Sequence, residues 1–422
     1  MRSSTSIALA LLSAALGATG CGSQEKVCAS DQNLCSNACV SLQSDNLNCG
    51  ACGNACGAGQ GCSAGACVDC SANPAACSAE VLAACANLNQ VRAVTAGLTV
   101  SGAPLDTDAL PISFARNGDT FYVANSGSSS ISAITLSPPS ATSGASAIPV
   151  GNAPAGSGDL EYLVAHGGLL WTSNAQANTL VVVDPGTGHA IDELPLPPGP
   201  FGSNPQGMAF VGSKAYLALN AIDSVLVLDV STVPGIAHAQ AKTIDVSKLA
   251  PAGASAMPSR VLASGSKVFV TLAGLDATFS PPPGSHGQIA VIDTITDTAL
   301  ATPLDLGPDC LDPSGMALSG TTIWVACGFA FAGPGQPMGG ALVPIDASAT
   351  LPTVGTPIKL SGRAAGSVAI CDGRGYAGAT ESGNVISFDP ANRVLLNGGA
   401  LVCPPPTSGS AFSYVPDVIC AR

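Results

Sequence analysis

The sequence predicts an all-β fold: a seven-bladed β-propeller, with a six-bladed ring as the alternative, preceded by a small disulfide-rich module. Three observations carry that prediction. Gly and Pro number 49 and 32 in a chain of 422 residues, and charged residues make up only 10%. Such a composition suits short strands and tight turns better than long solvated helices. Eleven cysteines crowd residues 28–85, a stretch with few large apolar side chains. From residue 111 onward a unit of about fifty residues recurs, a period typical of repeated sheet architectures.

In chain order, Arg2 precedes the apolar run 7–12 and then small residues up to Cys21. Residues 1–20 read as a secretory signal, because the apolar stretch is too short to span a bilayer. The segment Leu16-Gly-Ala-Thr-Gly-Cys21 resembles the lipobox of bacterial lipoproteins, with Ala18 where Leu is usual. The resemblance implies that Cys21 is acylated and becomes the mature N-terminus; the other reading of Cys21 is an ordinary disulfide cysteine after conventional cleavage. Gly22 and Ser23, with no Asp, imply by the same resemblance transfer to the outer membrane or cell surface. No later segment has 18 uninterrupted apolar residues, so membrane contact is expected through the lipid alone.

Residues 21–76 form the expected module, with Cys28, Cys35, Cys39, Cys49, Cys52, Cys56, Cys62, Cys67 and Cys70, and with Cys77 and Cys85 just beyond. A segment this poor in apolar bulk cannot fold on a core, so covalent links must stabilise it. Cys49 and Cys52 have zinc-ligand spacing, but export and the absence of histidine before His166 favour disulfides. Asn48-Cys-Gly-Ala-Cys-Gly-Asn-Ala-Cys56 resembles the cysteine-rich repeat near the N-terminus of many surface proteins of predatory gliding bacteria, which implies a spacer or interaction role. Apart from Cys21, eleven cysteines precede residue 100 and five follow residue 300: Cys310, Cys327, Cys371, Cys403 and Cys420. Both counts are odd, so full pairing demands a bond between the two groups. Cys420 with Cys77 or Cys85 is the expected one.

Residues 77–422 are assigned to the propeller. Tyr122, Trp171, Tyr216, Phe269, Trp324 and Tyr376 each sit in a short apolar run, at spacings of 49, 45, 53, 55 and 52. Pro111, Pro205, Pro258 and Pro313 stand eleven residues before four of them and open a first strand. A Gly-containing turn then makes a hairpin with the aromatic strand. A third strand ends in Asp184, Asp229, Asp293, Asp346 or Asp389, and a fourth, such as 242–246 or 357–360, completes an antiparallel blade. Phe121-Tyr-Val-Ala-Asn125 and Ile289-Ala-Val-Ile-Asp-Thr294 resemble the YVTN-type propeller repeat, which implies a scaffold open to many functions. Units two and six lack the opening proline. The aromatics are expected to fill space between blades, and each Asp to bond the backbone two residues on.

The seventh blade is expected to take 80–85, 91–95 and a strand near 98–101 from the N-terminal side, with Leu82 in the aromatic position, and its innermost strand from 416–422. A six-bladed ring would instead leave 74–87 as a helix.

A formal net charge of −13, with no local run of Lys or Arg, excludes a nucleic-acid surface. No Gly-x-Ser-x-Gly elbow, zinc helix, Walker loop or calcium loop occurs, so no catalytic residue, metal or cofactor is assigned and the balance leans away from an enzyme. Gly373-Arg-Gly-Tyr-Ala-Gly378 matches the dinucleotide fingerprint in letters only, since it sits in a hairpin and opens no helix. His166, His189, His238 and His286 fall at different points of different units, and His166 is expected as a solvated turn residue. Asp159 and Glu161, near a strand start, are the carboxylates a lactone-hydrolysing propeller would turn toward its funnel.

Function on such a scaffold sits in the loops of the channel mouth. The longest, 273–287 and 328–340, lie in consecutive units and carry Asp276, Phe279, His286, Phe329 and Phe331. These phenylalanines are expected either to form a recognition patch or to fold back and anchor their own loops. Asn125, Asn174 and Asn220 close three successive second strands and are expected as turn residues. The leading expectation is a surface-anchored module that binds a protein or glycan partner. An envelope hydrolase and a structural spacer are the other two readings.

Overall fold

A computed structural model describes residues 33–35, 38–40, 42–43, 48–57, 60–69, 79–136, 139–151, 159–199, 202–232, 234, 240–328, 339–361, 365–379, 382–406 and 414–421. The signal, Cys21, Cys28, Cys70, Cys77, His238, Phe329 and Phe331 lie outside the described residues.

Each repeat becomes an antiparallel sheet in which successive strands are neighbours. Blades one to six begin with Pro111–Asn117, Leu160–His166, Pro205–Val211, Pro258–Ser264, Pro313–Ser319 and Ala365–Cys371. Blades two and six thus form this strand without proline. These innermost strands pack beside one another around a central channel. Where they converge most closely no side chain fits: a Cβ on Gly207 would stand 2.7 Å from Ser259 O, and one on Gly315 2.7 Å from Ser367 Cα.

The seventh sheet closes the ring. Its order is Val418–Cys420, Val81–Cys85, Gln90–Val94, Val100–Asp106, with Ile419 opposite Leu82. Val81–Cys85 is a fully buried strand, so the helix of the six-bladed alternative is absent there. The outer strand starts at Val100 rather than near Leu98, because a turn intervenes: Leu98 has φ +60° and donates its N–H to Thr95 O at 2.9 Å.

Among the described residues the core divides into seven seams, each between consecutive blades, plus one small cluster under a loop of blade four. The residue at the aromatic repeat position always faces the next blade. Tyr122 fills the seam of blades one and two, Trp171 that of two and three, Tyr216 three and four, Phe269 four and five, Trp324 five and six, and Tyr376 six and seven. Leu82 fills the seam from blade seven back to blade one. All seven are 0–8% exposed, which excludes a role for them at the surface. The third-strand Asp residues serve the turns: Oδ1 of Asp184, Asp229, Asp293, Asp346 and Asp389 accepts the N–H two residues on, at 2.8–2.9 Å.

Ahead of the propeller, Cys35–Cys52, Cys49–Cys62 and Cys56–Cys67 staple two small hairpins, Asn33–Cys35 with Ala38–Val40 and Gln60–Ser63 with Ala66–Asp69. The sulfurs of Cys49, Cys56 and Cys67 lie together, but all three are in disulfides and leave no thiolate for a metal. Cys310–Cys327 lies within blade five, and Cys85–Cys403 joins the two halves of the chain. Cys420 bonds Cys371, not Cys77 or Cys85. The register explains this: Cys420 stands opposite Val81, at the far end of the strand from Cys85, and its strand packs against the innermost strand of blade six. Such disulfides mark an exported protein. No helix among the described residues is long and apolar enough to cross a membrane.

Candidate functional site

On one face of the ring, four turns leading into third strands end on a residue in the left-handed region: Asn89, Ser129, Asn178 and Asp223, with φ from +45° to +55°. Asn and Asp tolerate that conformation, and in three of the four turns their side chains reach the next blade. Asn89 Oδ1 accepts the N–H of Leu110 at 3.0 Å. Asn178 Oδ1 accepts the N–H and hydroxyl of Ser203 at 2.7 and 2.6 Å, and Asp223 Oδ1 accepts the N–H of Met257 at 2.9 Å. Each acceptor holds the segment that leads into the next innermost strand, so the rim is stitched blade to blade.

Over blades two to four this rim encloses a cavity of about 880 Å³. Asp159 and Glu161 enter it from blade two, Asn204 and Asp223 from blade three, and Asp276 and Phe279 from the long loop of blade four. Its described lining holds four carboxyls and no Lys, Arg or His. Burial pushes Glu161 up to about 7; the charge of Asp159 and a hydrogen bond with it act the same way, while Arg260 and Gln206 oppose. Asp276 is held below the ordinary carboxylate value by the Thr278 hydroxyl and the N–H groups of Ser280 and Thr278.

Below the mouth lies the channel, about 370 Å³ in volume. The Arg260 guanidinium sits 5.1 Å from the centre of the Tyr162 ring, and its Nε donates to Ser314 O at 3.0 Å. Asp417 accepts the N–H groups of Phe114 and Val418 at 2.7 and 2.9 Å, yet burial still pushes it up to about 6. Asp312, at the start of blade five, is pushed up to about 7 by burial. Carboxyls enclosed this way titrate near neutrality and can accept or donate a proton.

The structure brings Asp276 and Phe279 together with Asp159 and Glu161, and leaves His286 out of the cavity lining. His286 Nδ1 lies 2.9 Å from Asp305 Oδ1, pairing its loop to the outer strand of its own blade. Phe279 is 56% exposed and does not fold back as an anchor. His166 is not a solvated turn residue: it ends the first strand of blade two and stacks on Phe210, ring centres 3.9 Å apart. Asn125 is buried and donates to Ser130 and Ser132, Asn174 caps its own turn through Ala177, and Asn220 bridges to Asn204 and Pro258. Asp223, Asn204 and Arg260 were not singled out by the sequence. For Asn204, beside Pro205, and Arg260, two residues after Pro258, the signal that could have found them is their place relative to the prolines opening blades three and four.

Residues 18–95, the cysteine-rich module and the first strands of the closing blade, match the model of the Stigma-specific STIG1-like protein family. No curated protein matches the chain. Among solved structures, hydrazine synthase of Kuenenia stuttgartiensis is similar, at 16% identity and TM-score 0.49 over 66% of this chain and 76% of that one. Virginiamycin B lyase of Staphylococcus aureus is similar at 12% identity and TM-score 0.48, over 68% of this chain and 82% of that one. These likenesses concern the fold and carry nothing about activity or ligand.

Proposed function

We propose that this chain is an exported, lipid-anchored surface protein whose propeller binds a protein or glycan partner at the acidic mouth of blades two to four. The observation that carries the reading is the mouth cavity itself. Its volume suits a small ligand or a few side chains of a partner, its carboxylates accept hydrogen bonds from hydroxyl or amine groups, and exposed Phe279 supplies an apolar face at the rim. The lipobox-like Leu16–Cys21 segment and the disulfides support the location, with the cysteine module as spacer.

Two experiments test this. Cys21→Ala should abolish acyl labelling and release the protein from the membrane fraction; unchanged retention, with no acyl group on the wild type, would reject the anchor. On a glycan array and against envelope extracts, Asp159→Asn with Phe279→Ser should remove binding and leave the melting temperature unchanged. Undiminished binding would place the site elsewhere.

A second reading, an envelope hydrolase, has one observation in its favour: Glu161, pushed up to about 7 beside Asp159, is suited to proton transfer at neutral pH. Glu161→Gln would then abolish turnover of a lactone or ester. A wild-type protein inert toward a panel of such substrates would reject it.

A further inference from the structure

Six of the seven innermost strands carry a register shift at the same place, between the opening residue and the second or third after it. An extra residue bends a strand and re-aims its side chains, and such shifts gather where a sheet must present particular groups. Glu161, Gln206, Arg260 and Ser314 fall inside these shifts, and Asp417 holds the matching place in blade seven, directly after Pro416. Together they form a throat between two cavities: Glu161 lines the mouth, while Arg260 and Asp417 line the channel.

The throat is polar, and the walls beyond it are not. Leu262, Met316, Leu318, Val368 and Ile370 line much of the remaining channel. Arg260 is fixed on two sides, by the Tyr162 ring 5.1 Å away and by Ser314 O, which accepts from its Nε at 3.0 Å. Its Nη1 is buried and has no hydrogen-bond partner among the described residues. A guanidinium N–H shut away from water costs free energy until an acceptor meets it. Asp417 has accepting capacity left: the N–H groups of Phe114 and Val418 and the neighbouring Ser367 hydroxyl leave at least one of the about four acceptor sites of a carboxylate. Raised to about 6, it is still mostly ionised at neutral pH.

Charge decides which head group can sit between these two side chains. Arg260 is flanked by the carboxyls Glu161 and Asp417, which repel an anion, and its own fixed charge repels a cation. Either ion would leave a charge unmatched in a site with little water. An amide brings no net charge: its carbonyl accepts from Arg260 Nη1, and its N–H donates to Asp417. A channel of about 370 Å³ has room for that head on an aromatic or branched aliphatic body. We propose that the channel is a second binding site, separate from the acidic mouth, which takes a small neutral amide with an apolar body and holds its head group between Arg260 and Asp417.

Benzamide, benzoate and benzylammonium share one apolar ring and differ in the charge of the head. Relaxation-edited NMR of these three probes with the full-length chain near neutral pH tests the inference. Benzamide should bind, and each ion should bind at least about tenfold more weakly. Arg260→Lys keeps the charge and gives up the fork of donors, so it should weaken benzamide by about tenfold. Arg260 also braces neighbouring blades, so a second variant separates binding from folding. Leu318 lines the channel and is 41% exposed, and Leu318→Trp should fill the channel and abolish benzamide binding at the wild-type melting temperature. Benzamide that fails to bind at millimolar concentration would overturn the proposal. So would an ion that binds as tightly as benzamide, or an affinity for benzamide that neither variant changes.

Discussion

Glu161 is where the sequence and the folded site disagree most about chemistry. Its carboxyl ordinarily titrates near 4.5, and in the mouth it is pushed up to about 7. The folded state therefore holds this proton more tightly than the unfolded chain does. Its contribution to stability is present in full below the unfolded value and is lost as pH rises through about 7. Asp312 and Asp417, raised to about 7 and about 6, act in the same direction. Melting temperatures of the wild type and Glu161→Gln should thus agree below about pH 4, part as pH rises from there, and differ fully at about pH 8, with the variant higher. Curves that stay parallel across that range would show that burial does not control this carboxyl. Phe279→Ser, at an exposed position, should leave stability nearly unchanged, whereas Trp324→Ala should cost about 3–5 kcal/mol in chemical denaturation. Asp159 and Glu161 were legible because they stand together at a strand start. Asp223 was not: its role depends on Met257, in the next repeat, which only the packing of adjacent blades brings near.

At the level of single elements, short-range chemistry could be read from the sequence and outer strands only in part: 242–246 and 357–360 fall on Gln240–Asp245 and Ile358–Ser361, which are the outer strands of blades three and five. The strand-ending Asp turns depend on an acceptor and a donor two residues apart, so the repeat displayed them directly. Asp293 accepts from both Ile295 and Thr296, and Asp293→Ala should lower stability by about 1 kcal/mol, with Asp293→Asn recovering part. The glycines of Gly373-Arg-Gly-Tyr-Ala-Gly378, which imitate a nucleotide fingerprint, have packing reasons instead. Gly373 turns a hairpin at φ +82°, and a Cβ on Gly375 would fall into the ring of Phe388. Gly375→Ala should accordingly cost about 1–3 kcal/mol, and Phe388→Leu in the same chain should return some of it. An equal loss in the double variant would show that the ring is not what demands glycine. The outer strand of the closing blade, Val100–Asp106, is harder to read because it is largely solvated and carries no periodic apolar residues, so the expected start near Leu98 falls in the preceding turn.

For the whole molecule, the complementary deficits of the two ends pointed to a seventh blade, and cysteine parity demanded a bond across the chain. Parity counts bonds without assigning them, and the partner of Cys420 had to come from register. Cys85–Cys403 closes a loop with a sequence separation of 318. In the chain-entropy picture such a link stabilises by roughly 5–6 kcal/mol. Replacing both cysteines with serine should lower the melting temperature far more than removing Cys310–Cys327, whose sequence separation is 17. A comparable loss from either pair would mean that native packing, and not chain entropy, sets the effect. The same long separation fixes a timetable. Export delivers the chain from its N-terminal side, so Cys85 reaches an oxidising compartment while Cys403 is still far behind, with the thiols of the stapled module as its nearest neighbours. Oxidation in order of arrival would trap it there, and correct pairing requires exchange after the rest of the propeller has been delivered. A host lacking a disulfide isomerase should therefore yield more scrambled, protease-sensitive chains than one that has it; equal yields of the native disulfide map from both would overturn that expectation.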